Sequence, residues 1–243
     1  MAAESPLHQF ELIELIPIKI GGVNASFTNA SMWMLVAIVG VTVFLTMGMR
    51  KHAMVPGRWQ SMAEMSYQFI ANLVRDNAGT EGMKYFPFIF TLFMFILFCN
   101  ALGMVPYSFT VTSHLIVTLA MALTVFIGVT IIGIVKHGVK FLHLFSPAGV
   151  PIFVMPLLIP IEIISYFVRP ISLSVRLFLN MMVGHTMLKV FAGFVVLLGI
   201  WGIGPLAFIV LFIGFEFFVA LLQAYIFAVL SCLYLNDALH PHH

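Results

Sequence analysis

Charge is scarce in this chain. Of its 243 residues, 8% are Asp, Glu, Lys or Arg, where a soluble domain carries roughly 25%. A soluble, independently folding domain is thereby excluded. The balance also lacks a dominant sign: the formal net charge is +2, and no basic cluster forms an electrostatic footprint, so a nucleic-acid partner is not expected. Cysteine is almost absent. Cys99 and Cys232 lie far apart in apolar stretches, which implies neither a disulfide framework nor a thiolate metal site. The first twenty residues, with Glu4, Glu11 and Glu14, lack the basic and apolar regions of a cleaved signal and read as a short acidic tail. No fixed-period repeat is visible, which weighs against a solenoid and lends no support to an inverted-repeat transporter.

Apolar length is abundant. Residues of the hydrophobic class make up 62% and the mean hydropathy is +1.10. They come in runs of about 18 or more, enough to cross a hydrocarbon core of about 30 Å. The expected fold is an all-α integral membrane protein: an outside tail over 1–29, then a single helical membrane domain over 30–243. Crossings are expected at about 30–49, 86–106, 112–135, 148–200 and 205–235. The second and third form a hairpin about the Gly103-Met104-Val105-Pro106-Tyr107 turn. Over 58–76, Trp59, Met62, Ala63, Phe69, Ile70 and Leu73 recur at helical spacing, with polar residues elsewhere. That pattern suggests an amphipathic helix in the interface, or a polar connector made helical by packing on its neighbours.

Five crossings place Arg50, Lys51, Arg58, Arg75, Lys84, Lys136 and Lys140 on one side and Lys19 alone on the other. The positive-inside rule then sets the N-terminus outside and the C-terminus inside. The tract at 148–200 is too long to stand upright, since some 50 helical residues would measure roughly 75 Å. It must lie strongly inclined or break, and Pro151, Pro156, Pro160 and Pro170 offer places to bend.

Inside the last two tracts remain Glu162, Arg169, Arg176, His185, Lys189 and Glu216, with Asn180 and Gln223 as polar company. A midplane arginine costs about 2.5–3.5 kcal/mol on insertion scales, so such groups usually face a watery cavity or a partner. Glu162, Arg169 and Arg176 are spaced by seven and share a stripe, with Ser172 and Asn180 four residues to either side of Arg176. A structural ion pair of Glu162 with Arg169 is one reading of that stripe. Arg176 has no further carboxylate at helical spacing, and its counter-charge is expected from elsewhere.

His185, nine residues beyond Arg176, points to the opposite side of a straight helix. It reads either as a proton relay, because imidazole titrates near neutrality, or as a buried ring that only hydrogen-bonds. Glu216 shares a face with Gln223, with Ala220 between them. Glu216 and His185, brought together, could exchange protons or form a structural salt bridge. Lys189 lies near the outer end of its tract and is expected to snorkel to the interface.

No paired histidines on facing helices suggest haem, no metal motif such as HExxH occurs, and no Ser, His and carboxylate set supports a hydrolase. Neither a cofactor nor a metal is indicated. Ion translocation, a secondary transporter with a midplane substrate site, and a structural membrane subunit remain open.

The segment Pro160-Ile-Glu162-Ile-Ile-Ser-Tyr-Phe-Val-Arg169-Pro-Ile-Ser172-Leu-Ser-Val-Arg176-Leu-Phe-Leu-Asn180-Met-Met-Val-Gly-His185 closely resembles subunit a of F-type ATP synthases. Leu222-Gln223-Ala-Tyr-Ile-Phe-Ala-Val-Leu230 and Asn100-Ala-Leu-Gly-Met-Val-Pro106 extend the resemblance over nearly the whole chain. It implies the non-catalytic stator half of a rotary proton motor, laid against a ring of c-subunits, held by b-type peripheral-stalk subunits and surrounded by membrane lipids. Arg176 then matches the arginine that faces the ring carboxylate and separates two aqueous half-channels. Asn180, His185, Glu216 and Gln223 match polar positions of the outer half-channel and the arginine's surroundings, and Glu162 matches a carboxylate of the inner one. Arg169 and Ser172 come with the motif as supporting residues. Many bacterial members carry a carboxylate at the position of His185 and a histidine at that of Glu216. The reverse arrangement seen here resembles mitochondrial members and implies an alphaproteobacterial inner membrane or a mitochondrial one.

Overall fold

The structure is a computed structural model and describes residues 10–17, 19–20, 23–24, 26–50, 56–105, 108–138 and 154–240. Glu4, Lys51, Pro106 and Tyr107 of the hairpin turn, Lys140, His143, the opening of the long tract with Pro151, and His242 and His243 lie outside them. The protein is an all-α membrane protein. Six α-helices are described: α1 (Asn29–Met49), α2 (Arg58–Gly82), α3 (Phe86–Gly103), α4 (Leu115–His137), α5 (Met155–Leu198) and α6 (Ile203–Leu239). Among the described residues, four helical stretches are long and apolar enough to cross a membrane: Asn29–Met49, Arg58–Gly103, Leu115–His137 and Met155–Leu239. The last holds both α5 and α6, separated where Gly199 takes φ +56, a value glycine alone adopts readily.

The 44-residue α5 runs unbroken through Pro160 and Pro170. Pro156 sits in its first turn, where a missing N–H costs nothing, and neither internal proline interrupts the helix. At 1.5 Å per residue α5 measures about 66 Å, twice the hydrocarbon thickness, so inclination rather than fracture accommodates its length.

Helix α2 extends past the expected 58–76 and changes direction at Gly79, whose φ is +66. Its buried stripe is Ala63, Ile70, Val74 and Ala78, at spacings of seven and four, while Trp59, Met62 and Phe69 are exposed. The buried side packs on α3 and α6. Because lipid tails are as apolar as these side chains, tight packing rather than exclusion from water must hold the helices together. Small residues permit it: Ala220, Ala224, Ala228 and Ala238 of α6 are all buried, against a core that includes Ile70, Ile89, Met94, Val125, Leu173 and Leu177. Cys99 and Cys232 are buried free thiols.

The acidic tail contains something its composition did not suggest. Strand β1 (Glu14–Ile16) pairs antiparallel with β4 (Phe27–Thr28), and between them β2 (Lys19–Ile20) pairs with β3 (Val23–Asn24). Asn29 fastens this segment to the start of α1: its Nδ2 donates to Glu11 O at 3.1 Å and its Oδ1 accepts from Ile13 N at 3.3 Å.

Candidate functional site

Helices α5 and α6 pack antiparallel, and a file of polar pairs marks their seam. Arg169 meets Asp237, Asn180 meets Gln223, His185 meets Glu216, and beyond them Phe191 stacks on Phe208. As the α5 number rises its partner's falls, as an antiparallel hairpin requires. On α6 the positions that face inward are Glu216, Ala220, Gln223 and Phe227, at spacings of four, three and four.

The upper part of the seam is deeply buried. Glu216 is 4% exposed, and its Oε1 lies 3.7 Å from His185 Nδ1. Neither Glu216 oxygen has a hydrogen-bond partner among the described residues. A buried carboxyl in that condition requires water or a transferable proton. The other ring nitrogen of His185, Nε2, lies 3.1 Å from Thr110 Oγ1, in the connection between α3 and α4. Little more than one turn back along α5, Asn180 Nδ2 donates to Gln223 Oε1 at 2.8 Å, while Gln223 Nε2 is buried without a partner among the described residues. Asn100 of α3 donates from Nδ2 to Ala220 O at 3.1 Å and accepts from Thr112 Oγ1 at 2.8 Å. All three of these residues are buried.

The lower part holds a correction. Arg169 does not pair with Glu162 along its own helix. Its Nη1 donates to Asp237 Oδ2 at 2.8 Å across the seam, and its guanidinium lies over the rings of Tyr234 and Tyr166, 5.5 and 6.0 Å from their centroids. Glu162, half-buried, makes no ion pair among the described residues.

Arg176 stands apart from all of these. It is exposed on α5, as are Ser172, Leu179 and Val183 at four, three and seven positions from it, so it projects from a largely apolar face. It makes no hydrogen bond or ion pair among the described residues. His185, by contrast, has a side chain 14% exposed and turned into the seam. Lys189 is exposed. No group of three metal-ligating side chains comes together among the described residues.

Residues 30–236 match the family described as ATP synthase A chain. The chain belongs to that family. Its members are the proton-translocating subunit of the enzyme's membrane sector. The chain is 60% identical to ATP synthase subunit a of Parvibaculum lavamentivorans, an alignment covering 98% of this chain and 94% of the relative. It is 57% identical to the protein of that name from Paramagnetospirillum magneticum (98% and 99% covered) and 53% identical to that of Pelagibacter ubique (99% and 100%). These relatives are alphaproteobacterial, in agreement with the lineage expected from His185 and Glu216.

Within this ATP synthase A chain member, sequence reasoning missed three contributors to the seam and its surroundings. Asp237 falls just past the expected end of the last crossing at 235, and nothing local links it to a residue 68 positions earlier. Thr110 and Thr112 belong to the hydroxyl-rich run Ser108-Phe-Thr-Val-Thr-Ser113, which follows the expected turn at 103–107 and straddles the expected start of the next crossing at 112.

Proposed function

We propose that this chain provides two aqueous half-channels to the carboxylates of a c-subunit ring, with Arg176 between them. The N-terminus lies outside, so α5 rises outward from Met155 and α6 returns inward to Leu239. Protons arrive from the outer side by way of His185 and Glu216, neutralise a ring carboxylate, and leave inward past Glu162 after nearly a full rotation. Asn180 and Gln223 line the path near the arginine, and Ser172 adds polarity to the face that meets the ring. The chain itself binds no nucleotide and catalyses no reaction. Proton flow through it turns the ring, and ATP is made elsewhere in the complex, to which b-type stalk subunits tie it.

The observation that carries this reading is the isolation of Arg176. Arg169 is paired with Asp237, whereas Arg176 projects from an apolar face with no counter-charge among the described residues. An intramembrane guanidinium in that position calls for a carboxylate on a partner. A ring carboxylate supplies one, and the attraction favours its ionised form as it passes. Each charge crossing the field is worth about 2.3 kcal/mol per 100 mV, so several protons must pass for each ATP made.

The test is Arg176→Ala in the complete complex reconstituted in vesicles. Coupled ATP synthesis is expected to disappear while the complex still assembles. A variant that retains wild-type coupling would show that Arg176 is only structural.

A further inference from the structure

Thr110 reaches His185 from outside the two long helices, and its own hydrogen bonding constrains the imidazole. We infer that Thr110 is a positioning residue that fixes the tautomer of His185, holding a hydrogen on Nε2 and leaving Nδ1 as the nitrogen that exchanges protons with Glu216. The functional half of this inference rests on the proton path proposed above.

A threonine hydroxyl has one hydrogen to donate and lone pairs with which to accept. Thr110 Oγ1 donates to Gly103 O at 3.3 Å and lies 3.1 Å from His185 Nε2. A carbonyl oxygen only accepts, so the bond to Gly103 uses the hydroxyl's hydrogen. The contact with Nε2 is then a hydrogen bond only when Nε2 carries a hydrogen and donates it. Glu216 makes no competing claim on the ring, because 3.7 Å from Nδ1 to Oε1 is too long for a hydrogen bond.

Thr110 is also held in place. It is 5% exposed, Ser113 Oγ donates to its carbonyl at 2.6 Å, and its Cγ2 would lie 2.8 Å from a Cβ on Gly103. Only glycine at 103 lets the hydroxyl approach that carbonyl.

Other titratable groups near the ring do not alter this assignment. Lys189 is one turn further along α5, and His114, four residues beyond Thr110, stacks on Phe109 with centroids 5.0 Å apart. The proton steps follow. A proton from outer-side water binds the Nδ1 lone pair and makes the imidazolium. That same proton passes from Nδ1 to a Glu216 carboxylate oxygen once the two side chains close from 3.7 Å to hydrogen-bond distance, giving the carboxylic acid and restoring the neutral ring with its hydrogen on Nε2. The bond to Thr110 survives both steps, and no ring flip is needed.

The experiment uses the complete complex with 15N-labelled histidine. Solid-state 15N spectra identify the tautomer of neutral His185, whose signal is assigned by its loss in His185→Gln. Wild type and Thr110→Ser are expected to show the Nε2-protonated ring. Thr110→Val should shift the tautomer ratio toward Nδ1 protonation by about fivefold, the equivalent of one net hydrogen bond, and displace the dependence of ATP synthesis on outer pH. A wild-type ring protonated on Nδ1 overturns the inference, and so does an unchanged ratio in Thr110→Val. A shifted ratio with an unmoved pH profile overturns the proton-exchange half. Should Thr110→Val fail to assemble, the wild-type and Thr110→Ser spectra decide the matter. His185→Ala with wild-type synthesis would instead bring down the half-channel reading and leave the tautomer assignment intact.

Discussion

Gly184 and Glu216 occupy one space: a Cβ on Gly184 would lie 2.5 Å from Glu216 Oε1 and 3.0 Å from its Cδ. The carboxyl of α6 is therefore seated over the backbone of α5, one residue before His185, where no other side chain fits. Glycine at 184 is required by this close approach rather than by backbone conformation.

Gly184→Ala should consequently displace the carboxyl rather than unfold the chain, since the atoms that must give way end a flexible side chain. Misplacements on the ångström scale cost up to about 100-fold in rate. We expect proton flux through the reconstituted membrane sector to fall by roughly 10- to 100-fold, with subunit assembly intact. Flux at the wild-type level would mean that the position of Glu216 is not critical to the path.

The ion pair of Arg169 and Asp237 joins the N-terminal half of α5 to the last turn of α6, and its value can be measured by a double-mutant cycle. A charge-assisted hydrogen bond contributes about 1.5–3 kcal/mol. Both side chains are close to one-third exposed, at 30% and 32%, which brings the expectation down to about 1–2 kcal/mol. Arg169→Ala and Asp237→Ala should each destabilise the chain in detergent unfolding, and the double variant should cost less than the two losses added. Strict additivity would deny the pair any coupling. The charge-swapped variant, with Asp at 169 and Arg at 237, should recover part of the loss.

These residues also mark how far the sequence could be read. Arg176 was legible in part: the lack of a carboxylate at helical spacing in its own tract anticipates an unpaired cation, but the expected polar stripe divides, since Arg169 and Asn180 turn into the seam while Arg176 and Ser172 project from a face they share with Leu179 and Val183. Arg169 was misread because helical spacing offered Glu162 while the true partner lies across an antiparallel seam. His185 and Glu216 were recognised as candidates, but their distance and the part played by Thr110 depend on how the α3–α4 connection folds back over α5. The short strands before α1 went unseen because pairing of two or three residues leaves almost no periodic trace in a tail read for charge.

Glu81, in the polar last turn of α2 before the crossing expected from 86, accepts a hydrogen bond from Lys136, in the last turn of α4 just past the crossing expected to end at 135. That hydrogen bond first, and then the Lys136 charge, holds the Glu81 carboxyl below its ordinary value of 4.5. A carboxyl whose folded value is depressed stabilises the fold above its unfolded value and loses that contribution as pH falls through the folded one. The link between α2 and α4 should therefore be complete at neutral pH and weaken below about pH 4.5. The effect is small, because both side chains are well exposed to solvent and to salt. Glu81→Gln should lower thermal stability at pH 7, remove part of the acid sensitivity, and approach wild type at the acid end. Melting followed by tryptophan fluorescence at a series of pH values would check this, and 1 M salt should narrow the difference at pH 7. Parallel pH profiles for the two proteins would show that the pair adds nothing to the joint between these helices.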